Sequence, residues 1–328
     1  DPMIALVSSE RLKLSFDILS TEYSSYAYTF IHCNSNWEYS DLNQLEYLEG
    51  FFENYIETYS YSFNTLTNYI HYECVFPNEN IKFKKSGNYI IIIYDTERNI
   101  PIITKRFMVY ENQIKADMHV RPSTLPKNKK TKQQIMLSIT NHEHLNIKDP
   151  ISELIINIQK NDDWNNLITS IKPSFLSVKK IEYDNPDVMI FEGGNEYRDF
   201  DTKSLRYYGK NIQLIEQKDV QGSNLYLIDL YEDIIGNSEN YDFKYDLNGK
   251  FIISVSENKD KKNEGDYALV KFKLKTNKFL DKDIYIYGEL TNWDTIPFAK
   301  MNFNIKNNEY YGFLLLKQGY YNYEYVTT

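Results

Sequence analysis

The sequence predicts an all-β protein of tandem β-sandwich domains, with one short helix in the first domain. Of its 328 residues, 30 are Tyr and 18 are Phe, and aromatic side chains suit the half-buried face of a sheet. Short apolar runs recur between Asn, Asp, Gly and Pro, which is the pattern of sandwich strands. No long segment has the 3.6-residue periodicity of an amphipathic helix.

The predicted strands are short runs rich in β-branched and aromatic residues. They cover residues 26–33, 69–76, 87–94, 102–110, 134–140, 153–159, 225–230, 250–256, 268–275, 284–288, 310–316 and 320–326. Each is bounded by residues that favour turns. Such a series fits sandwiches in which the chain passes repeatedly between two sheets.

The one predicted helix lies in IHCNSNWEYSDLNQLEYLEGFFEN, residues 31–54. Ser40 or Asp41 is a suitable N-cap, and Gly50 follows where a helix C′ residue belongs. The apolar stripe consists of Leu42, Leu45 and Leu48. With Trp37 and Phe51 or Phe52, these leucines are predicted to pack the helix on the first sandwich.

Three domains are predicted from the spacing of strands and polar segments. The first covers residues 1–112, the second 113–264, and the third 265–328. The stretch NKDKKNEGD at 258–266 is charged, lacks apolar residues and precedes a new strand. The third domain is predicted to be incomplete, because it holds fewer strands than a sandwich needs.

Charge and hydropathy exclude two classes of protein. The formal net charge is −9, and the basic residues are scattered, so no cationic surface for nucleic acid is predicted. The local exception is a solvated linker that carries Lys127, Lys129, Lys130 and Lys132. No apolar run approaches the roughly 18 residues of a membrane-spanning helix, so the chain is predicted to have no transmembrane segment of its own.

His32 and Cys33 resemble a nucleophile and its base, and an enzyme would depend on them. On a strand, however, neighbouring side chains point to opposite faces, which puts Cys33 with Ile31 and His32 with Phe30. Such neighbours cannot form the hydrogen bond of a catalytic pair. Cys33 and Cys74 are therefore predicted to be buried thiols, with a disulfide between them and a reactive thiol left as alternatives.

The acidic and histidine-containing segments carry no predicted catalytic, cofactor or metal site. Exposed positions are expected for Glu38, Asp41, Glu46, Glu49, Glu53 and Glu57. His142-Glu143-His144 supplies two metal-type ligands but no third, and fits a hairpin tip. Asp242–Gly249 has a faint calcium-loop pattern, but a hairpin turn at Asn248-Gly249 explains it better.

The densest polar motif is FEGGNEYRDFD at residues 191–201, followed by Arg206. Its glycines permit a positive φ, and its arginines have Glu196, Asp199 and Asp201 nearby for ion pairs. One interpretation is a structural ion-pair network between strands, and the other is a partner-binding loop. The predicted partner-binding residues are Asn195, Glu196, Tyr197, Arg198, Asp199 and Arg206.

Four segments together point to one protein family: IHCNSNWEYSDLNQLEYLEGFFENYIE, YSFNTLTNYIHYECVFPNENIKFKKSGNYIIIIYD, FEGGNEYRDFDTKSLRY and LKQGYYNYEYV. They resemble the periplasmic plug protein family of the type IX secretion system of Bacteroidota. They occur in order over nearly the whole chain. Family members are longer chains, which agrees with an incomplete third domain. Cys74 departs from the pattern, since an ordinary strand residue is expected there.

The resemblance implies a non-catalytic protein of immunoglobulin-like sandwiches, without a cofactor. Such a protein would lie in the periplasm at the inner face of the outer membrane. Its partner would be the large outer-membrane β-barrel translocon, whose periplasmic opening it would bind and seal. These implications rest on analogy with the family, because a fold alone does not define a function.

The last module resembles an E-set domain of the glycogen-binding kind. The matching residues are Tyr285-Ile-Tyr-Gly288, Thr291-Asn-Trp293, Met301 and Gln318-Gly-Tyr-Tyr-Asn-Tyr-Glu-Tyr325. In that family the tryptophan after the Asn stacks on a sugar ring, and here Trp293 matches it. A carbohydrate-binding accessory protein is therefore the alternative function, while packing is the alternative role of Trp293.

Overall fold

A computed structural model describes residues 2–140, 143–194, 197–220, 222–235, 246–257, 260–276 and 279–327. Contacts between residues divide the chain into two compact units. Unit 1 comprises Asp1–Phe16, Glu22–Tyr59 and Tyr72–Gly194. Unit 2 comprises Asp17–Thr21, Ser60–His71 and Asn195–Thr328.

Strands dominate both units. Residues 1–112 contain β1 (Met3–Ala5), β2 (Leu12–Ile18), β3 (Tyr26–Cys33), β4 (Leu48–Gly50), β5 (Asn54–Tyr55), β6 (Thr58–Tyr61), β7 (Ile70–Phe76), β8 (Ile81–Phe83), β9 (Gly87–Asp95) and β10 (Ile100–Tyr110). Residues 113–194 contain β11 (Lys115–Pro122), β12 (Lys132–Thr140), β13 (Ile158–Lys160), β14 (Asp163–Ile168), β15 (Phe175–Leu176), β16 (Lys180–Tyr183) and β17 (Ile190–Glu192). The remaining strands are β18 (Arg198–Asp201), β19 (Ile212–Val220), β20 (Ser223–Leu230), β21 (Asp233–Ile234), β22 (Phe251–Ile253), β23 (Tyr267–Lys275), β24 (Ile284–Tyr287), β25 (Asn302–Asn304), β26 (Glu309–Lys317) and β27 (Gly319–Thr327).

Helices in the described chain are single turns. The two α-helical turns are α1 (Gln44–Tyr47) and α2 (Pro150–Glu153), and 3₁₀ turns occur at Glu143–Leu145, Glu289–Thr291 and Pro297–Ala299. The all-β prediction is confirmed. The immunoglobulin-like and E-set assignments of the sandwiches stay predictions.

An aromatic core stabilises the first part of unit 1. The main sheet has the strand order β1-β10-β9-β3-β5, and β4 pairs with β8. Phe30 on β3 lies at the centre, with its ring centroid 5.0 Å from that of Phe76 and 5.6 Å from that of Phe107. Phe83 and Tyr89 close the cluster at 4.8 Å from each other. Each such aromatic pair stabilises a fold by about 0.5–1.5 kcal/mol beyond area burial.

The helix within residues 31–54 is shorter than predicted. Its N-cap is Asn43, whose backbone N–H donates to the Glu46 carboxylate at 2.8 Å, so the predicted cap at Ser40 or Asp41 is wrong. The predicted leucine stripe holds only in part, because Leu48 is buried and Leu42 half-buried, whereas Leu45 is 70% exposed. The helix ends early because the backbone becomes extended at Leu48, which pairs with Phe83 of β8.

Gly50 is required by a close backbone contact rather than by the end of a helix. Its φ is +104°, and a Cβ there would lie 2.0 Å from the carbonyl oxygen of Asn80. The six carboxylates predicted to be exposed in this region are exposed: Glu38, Asp41, Glu46, Glu49, Glu53 and Glu57. Of the predicted packing aromatics, Trp37 is buried and Phe51 is exposed.

The second part of unit 1 has its own sheet and apolar core. The strand order is β11-β12-β16-β15, β17 also pairs with β12, and β13 pairs with β14. The core consists of Ile135, Ile139, Ile158, Ile171, Ile181, Tyr183, Met189 and Phe191. The predicted strand at 153–159 is largely wrong, because Glu153 still belongs to the helical turn α2 and the chain becomes a strand only at Ile158. Asp149 caps this turn by accepting from the Ile151 N–H. Of the predicted lysine-rich linker, Lys127, Lys129 and Lys130 are exposed in the connection from β11 to β12, whereas Lys132 is half-buried and begins β12.

Unit 2 contains two sheets around one core. One has the order β19-β20-β23-β26-β25 with β21 beside β23, and the other has the order β18-β27-β22 with β24 beside β27. Their shared core includes Phe200, Ile228, Val270, Phe272, Ile286, Leu314, Tyr321 and Tyr323. The predicted boundary at 264/265 falls inside this unit. All three predicted domains, with the incompleteness of the third, stay predictions.

Candidate functional site

The predicted partner-binding loop becomes, in its described part, a strand of unit 2. Asn195 and Glu196 lie outside the described residues. Arg198–Asp201 form β18, which pairs antiparallel with β27 from Tyr320 to Tyr323. Tyr197 precedes the strand, and its backbone N–H donates to the Asp246 carboxylate at 3.0 Å. Pairing with β27 fixes where the Arg198 and Asp199 side chains lie.

Arg198 is held in a polar network at the sheet edge. Its Nε lies 3.1 Å from Asp233 Oδ1, and its Nη2 donates to the Ile234 carbonyl at 3.0 Å. The hydroxyls of Tyr323 and Tyr325 donate to Asp233 Oδ2 at 2.7 and 2.8 Å. Burial, followed by the negative charge of Asp233, raises the pKa of Tyr323. These phenols therefore stay protonated donors, and Arg198 is a structural residue.

Asp199 and Asp201 of the motif pair with lysines rather than with its arginines. Asp199 is buried, with Lys210 Nζ 2.6 Å from its carboxylate and the Asn211 amide donating to its carbonyl at 2.6 Å. Asp201 forms an ion pair with Lys203 at 2.9 Å. Among the described residues, Arg198 pairs with Asp233 rather than with Asp199 or Asp201, whereas its expected partner Glu196 lies outside the described residues. The interpretation as an ion-pair network between strands fits this geometry.

The end of the motif remains exposed. Arg206 is exposed, and the neighbouring Tyr207 and Tyr208 are 75% and 59% exposed. The turn that presents them is fixed by Ser204, whose Oγ accepts from the backbone N–H groups of Arg206 and Tyr207 at 3.1 and 3.0 Å. Tyr and Arg are the side chains most enriched at binding hot spots. Arg206, Tyr207 and Tyr208 are called the 206–208 turn below, and of these only Arg206 is a predicted partner-binding residue; that prediction stays a prediction.

Trp293 does not offer a free ring for a sugar. It is only 8% exposed, and it contacts Tyr287 and Tyr197 edge-on at centroid distances of 5.6 and 6.2 Å. Gly249 packs so closely on it that a Cβ at Gly249 would lie 2.2 Å from Trp293 Cη2. Stacking on a sugar requires an accessible ring face, so the packing interpretation fits this residue.

His32 and Cys33 are separated by strand alternation as predicted. His32 packs on Tyr47 and Tyr89, and its Nε2 lies 3.2 Å from the Ser86 carbonyl. An N–H on Nε2 donates to that carbonyl, which leaves Nδ1 to accept from the Ser40 hydroxyl at 2.8 Å. The ring is therefore held as a structural hydrogen-bonding group.

Both cysteines are buried free thiols. Burial raises the pKa of Cys33, while the nearby charge of Arg106 opposes the shift. Burial raises the pKa of Cys74 to about 12. Since the thiolate is the nucleophilic form, neither sulfur has the environment of a reactive cysteine. The disulfide alternative does not hold in this structure.

The candidate metal motifs have little structural support. His142 lies outside the described residues, and so does the first half of Asp242–Gly249, residues 242–245. Within the described ranges, no group of three or more His, Cys, Asp or Glu side chains could hold a metal ion. Asn248 and Gly249 both have positive φ, which fits the predicted turn at this position.

Two side-chain clusters have no signal in the sequence. In unit 1, Arg106 lies over the rings of Trp37 and Trp164, at 4.8 and 5.4 Å from their centroids. In unit 2, the buried carboxylate of Asp17 meets Lys317, His71 and Tyr267. The members of each cluster are far apart in the sequence, so local patterns cannot reveal them.

The Asp17 cluster is a closed structural site. Asp17 Oδ2 lies 2.6 Å from Lys317 Nζ and 2.8 Å from the Tyr267 hydroxyl, and Oδ1 lies 2.6 Å from His71 Nδ1. Lys317 also donates to the Lys262 carbonyl and lies 4.0 Å from the centroid of the Tyr69 ring. Burial lowers the pKa of Lys317, and the charge of Asp17 opposes this. Each charge is thus compensated inside the unit.

Comparison with known proteins decides the family. Residues 1–111 match the family model described as the first domain of the type 9 secretion system plug protein. The chain belongs to this plug protein family. The predicted resemblance is therefore confirmed. The family match supports a plug-like role in type IX secretion.

A solved structure supports the fold over the whole length of this plug family member. It is the crystal structure of a hypothetical protein from Parabacteroides merdae, with 32% sequence identity and a TM-score of 0.94. The alignment covers 100% of this chain and 82% of that one. No curated protein matches significantly. In the described parts of the chain, no helix is long and apolar enough to cross a membrane.

The Arg106 cluster and the 206–208 turn lie differently relative to the residues matched by the plug family model. Trp37 and Arg106 lie within the matched residues 1–111, whereas Trp164 lies beyond them. The 206–208 turn and Trp293 lie beyond them too. The plug-domain region therefore supplies two of the three side chains in the Arg106 cluster.

Proposed function

We propose that this protein is a non-catalytic periplasmic plug. It binds the periplasmic opening of the large outer-membrane β-barrel translocon of the type IX secretion system and closes it. The family match over residues 1–111 carries this proposal, because it assigns the chain to plug proteins of that system. The protein acts in the periplasm, at the inner face of the outer membrane.

The chemistry of the described residues supports a binding role rather than catalysis. The thiols of Cys33 and Cys74 are buried, and their pKa values are raised by burial. His32 is held between Ser40 and the Ser86 carbonyl. Arg198 and Asp199 serve structural ion pairs. The groups that suggested chemistry are thus engaged in holding the fold.

The 206–208 turn is proposed as one contact with the translocon. Arg206, Tyr207 and Tyr208 are exposed on a turn whose backbone Ser204 holds, so little backbone entropy is lost when they bind. A stable interface buries about 800 Å² on each partner, so this turn would be one anchor within a larger surface.

Affinity isolation from native membranes tests the binding part of the proposal. The protein carries a C-terminal tag, and membranes are extracted in a mild detergent. We expect the outer-membrane translocon to be the main co-purifying protein, identified by mass spectrometry. An Arg206→Ala/Tyr207→Ala/Tyr208→Ala variant should retain less of it, by about tenfold or more.

A matched variant controls for nonspecific loss at the protein surface. Leu214→Ala/Ile252→Ala removes two other exposed apolar side chains of unit 2 and should leave retention unchanged. If the translocon is extracted intact and never accompanies the tagged wild-type protein, the proposed function is wrong.

A further inference from the structure

The Arg106 cluster combines a cation with two perpendicular indole rings. The Trp37 and Trp164 ring centroids lie 4.9 Å apart, with an interplanar angle of 82°. The guanidinium of Arg106 lies over both, at 4.8 and 5.4 Å from the centroids. All three residues belong to unit 1.

Strand register places Arg106 on the sheet face opposite the aromatic core. Arg106 pairs with Ile90, and Ile90 pairs with Ile31, while the next pair, Phe107 and Tyr89, faces the core. The side chains of Ile31 and Ile90 are only half-buried. The Arg106 side chain therefore lies on the same, partly apolar face of the sheet as Ile31 and Ile90.

Local backbone geometry fixes the two tryptophans. Trp37 lies in a turn and has a φ of +67°. Its backbone N–H donates to the Asn34 carbonyl at 3.0 Å. Trp164 lies on β14, which pairs with β13. A positive φ is rare for a bulky residue and is maintained only where the surroundings enforce it. The cluster is thus a preorganised arrangement.

The cluster contains hydrogen-bond donors without acceptors. The indole Nε1 atoms of Trp37 and Trp164 are buried, and neither has a hydrogen-bond partner. Trp37 as a whole is nine-tenths buried. Among the residues that the structure describes, no carboxylate forms an ion pair with Arg106, although its side chain is exposed. Buried donors are normally satisfied, so this set lacks an acceptor.

We propose that the cluster of Arg106, Trp37 and Trp164 binds a carboxylate on the periplasmic rim of the translocon, from an Asp or Glu side chain. This inference rests on the proposed function. A carboxylate offers two acceptor oxygens in the plane of the guanidinium fork, which makes the pair bidentate. The carboxylate contacts the exposed guanidinium, because the two buried indole N–H groups are out of its reach.

Charge favours an isolated carboxylate over a polyanionic surface. The net charge of −9 opposes approach to an anionic membrane or to nucleic acid. The cluster offers one cation with flat aromatic neighbours, whereas polyanions are bound by several clustered cations. Arg and Trp are also the residues most often found as anchors of protein interfaces. A single acidic side chain of a protein partner fits this composition.

Charge reversal tests the inference in the full chain. Tagged wild type, Arg106→Glu, Arg106→Lys and Arg98→Glu are compared for retention of the translocon from native membrane extracts at several salt concentrations. Arg98→Glu makes the same charge change at an exposed turn of the same sheet. We expect Arg106→Glu to weaken retention by about tenfold or more, because it opposes one carboxylate with another. Arg106→Lys should be intermediate, since it keeps the charge but loses the planar fork.

The outcomes separate this inference from the proposed function. Urea unfolding first establishes that each variant is folded. Loss of retention with Arg106→Glu, but not with Arg98→Glu, supports the carboxylate site. Equal retention by wild type and folded Arg106→Glu overturns the inference and leaves the plug function in place. Absence of the translocon from the wild-type sample overturns both.

Discussion

Lys317 and Asp17 are separated by 300 positions in the sequence, yet their Nζ and Oδ2 atoms lie 2.6 Å apart. Their side chains are only 7% and 6% exposed. A charge removed from water at this depth needs a partner, and here each charge supplies it for the other. The pair therefore joins a segment from the N-terminal part of the chain to the last strands of unit 2.

Removing one member of this pair should strongly destabilise unit 2. Lys317→Met leaves the Asp17 carboxylate buried without its cation, and we expect a loss of about 3–5 kcal/mol. Hydrogen exchange of the amides in β23 and β26 measures the effect, because it reports local stability. Asp17→Asn/Lys317→Met removes both charges and should lose less than the sum of the single variants. Additive losses would mean that the two groups do not interact.

The stability of unit 2 should fall in acid through Asp17. Burial alone would raise the pKa of Asp17, but the hydrogen bond with His71 and the charge of Lys317 outweigh it and lower the pKa below its ordinary value of 3.8. The folded state then binds fewer protons than the unfolded state, so the stabilisation is present above about pH 3.8 and is lost as pH falls through the lowered pKa. Hydrogen exchange at several pH values should show the difference between wild type and Asp17→Asn shrinking below about pH 4. A constant difference would contradict the assignment.

Gly249 should tolerate alanine less well than another glycine of positive φ. Its φ is +80°, and a Cβ would lie 2.2 Å from Trp293 Cη2 and 2.8 Å from Tyr197 Cε1. Gly222 has a φ of +85° with no described atom within 4 Å of the added Cβ, so it reports backbone strain alone. We expect Gly249→Ala to cost about 1–3 kcal/mol more than Gly222→Ala in urea unfolding. Equal costs would show that Trp293 moves aside freely.

The protein should not bind α-glucans through Trp293. The ring is buried against Tyr197, Tyr287 and Gly249, so no face is available for stacking on a sugar. Isothermal titration calorimetry of the wild-type protein with soluble α-glucan should give no binding heat. A saturable heat that disappears in Trp293→Ala would restore the carbohydrate-binding alternative.

Local patterns were sufficient to predict most strands and the all-β class. Alternating apolar residues place β3, β9, β23 and β26 close to their predicted positions, because one face of each strand is buried. The leucine spacing predicts too long a helix, because it carries no information about the partner strand. The pairing of Leu48 with Phe83 ends the helix and leaves Leu45 in water.

The polar contacts could not be predicted, because they join distant residues. The sequence places acids directly beside Arg198, yet the fold brings a distant one, Asp233, to it as a partner. Trp293 matched a sugar-stacking position, but Tyr197 and Gly249 bury it from other parts of the chain. Trp37, Arg106 and Trp164 also come from separate segments. A sequence pattern gives the faces of strands, whereas such clusters depend on tertiary packing.

Channel conductance tests the central claim most directly. The translocon is purified from a strain lacking this protein and reconstituted in a planar bilayer, and the protein is added to one side at a time. Addition at the periplasmic side should reduce the open-channel conductance, with no effect from the opposite side. An unchanged conductance at saturating protein, with binding to the same translocon preparation demonstrated, would contradict the plug function.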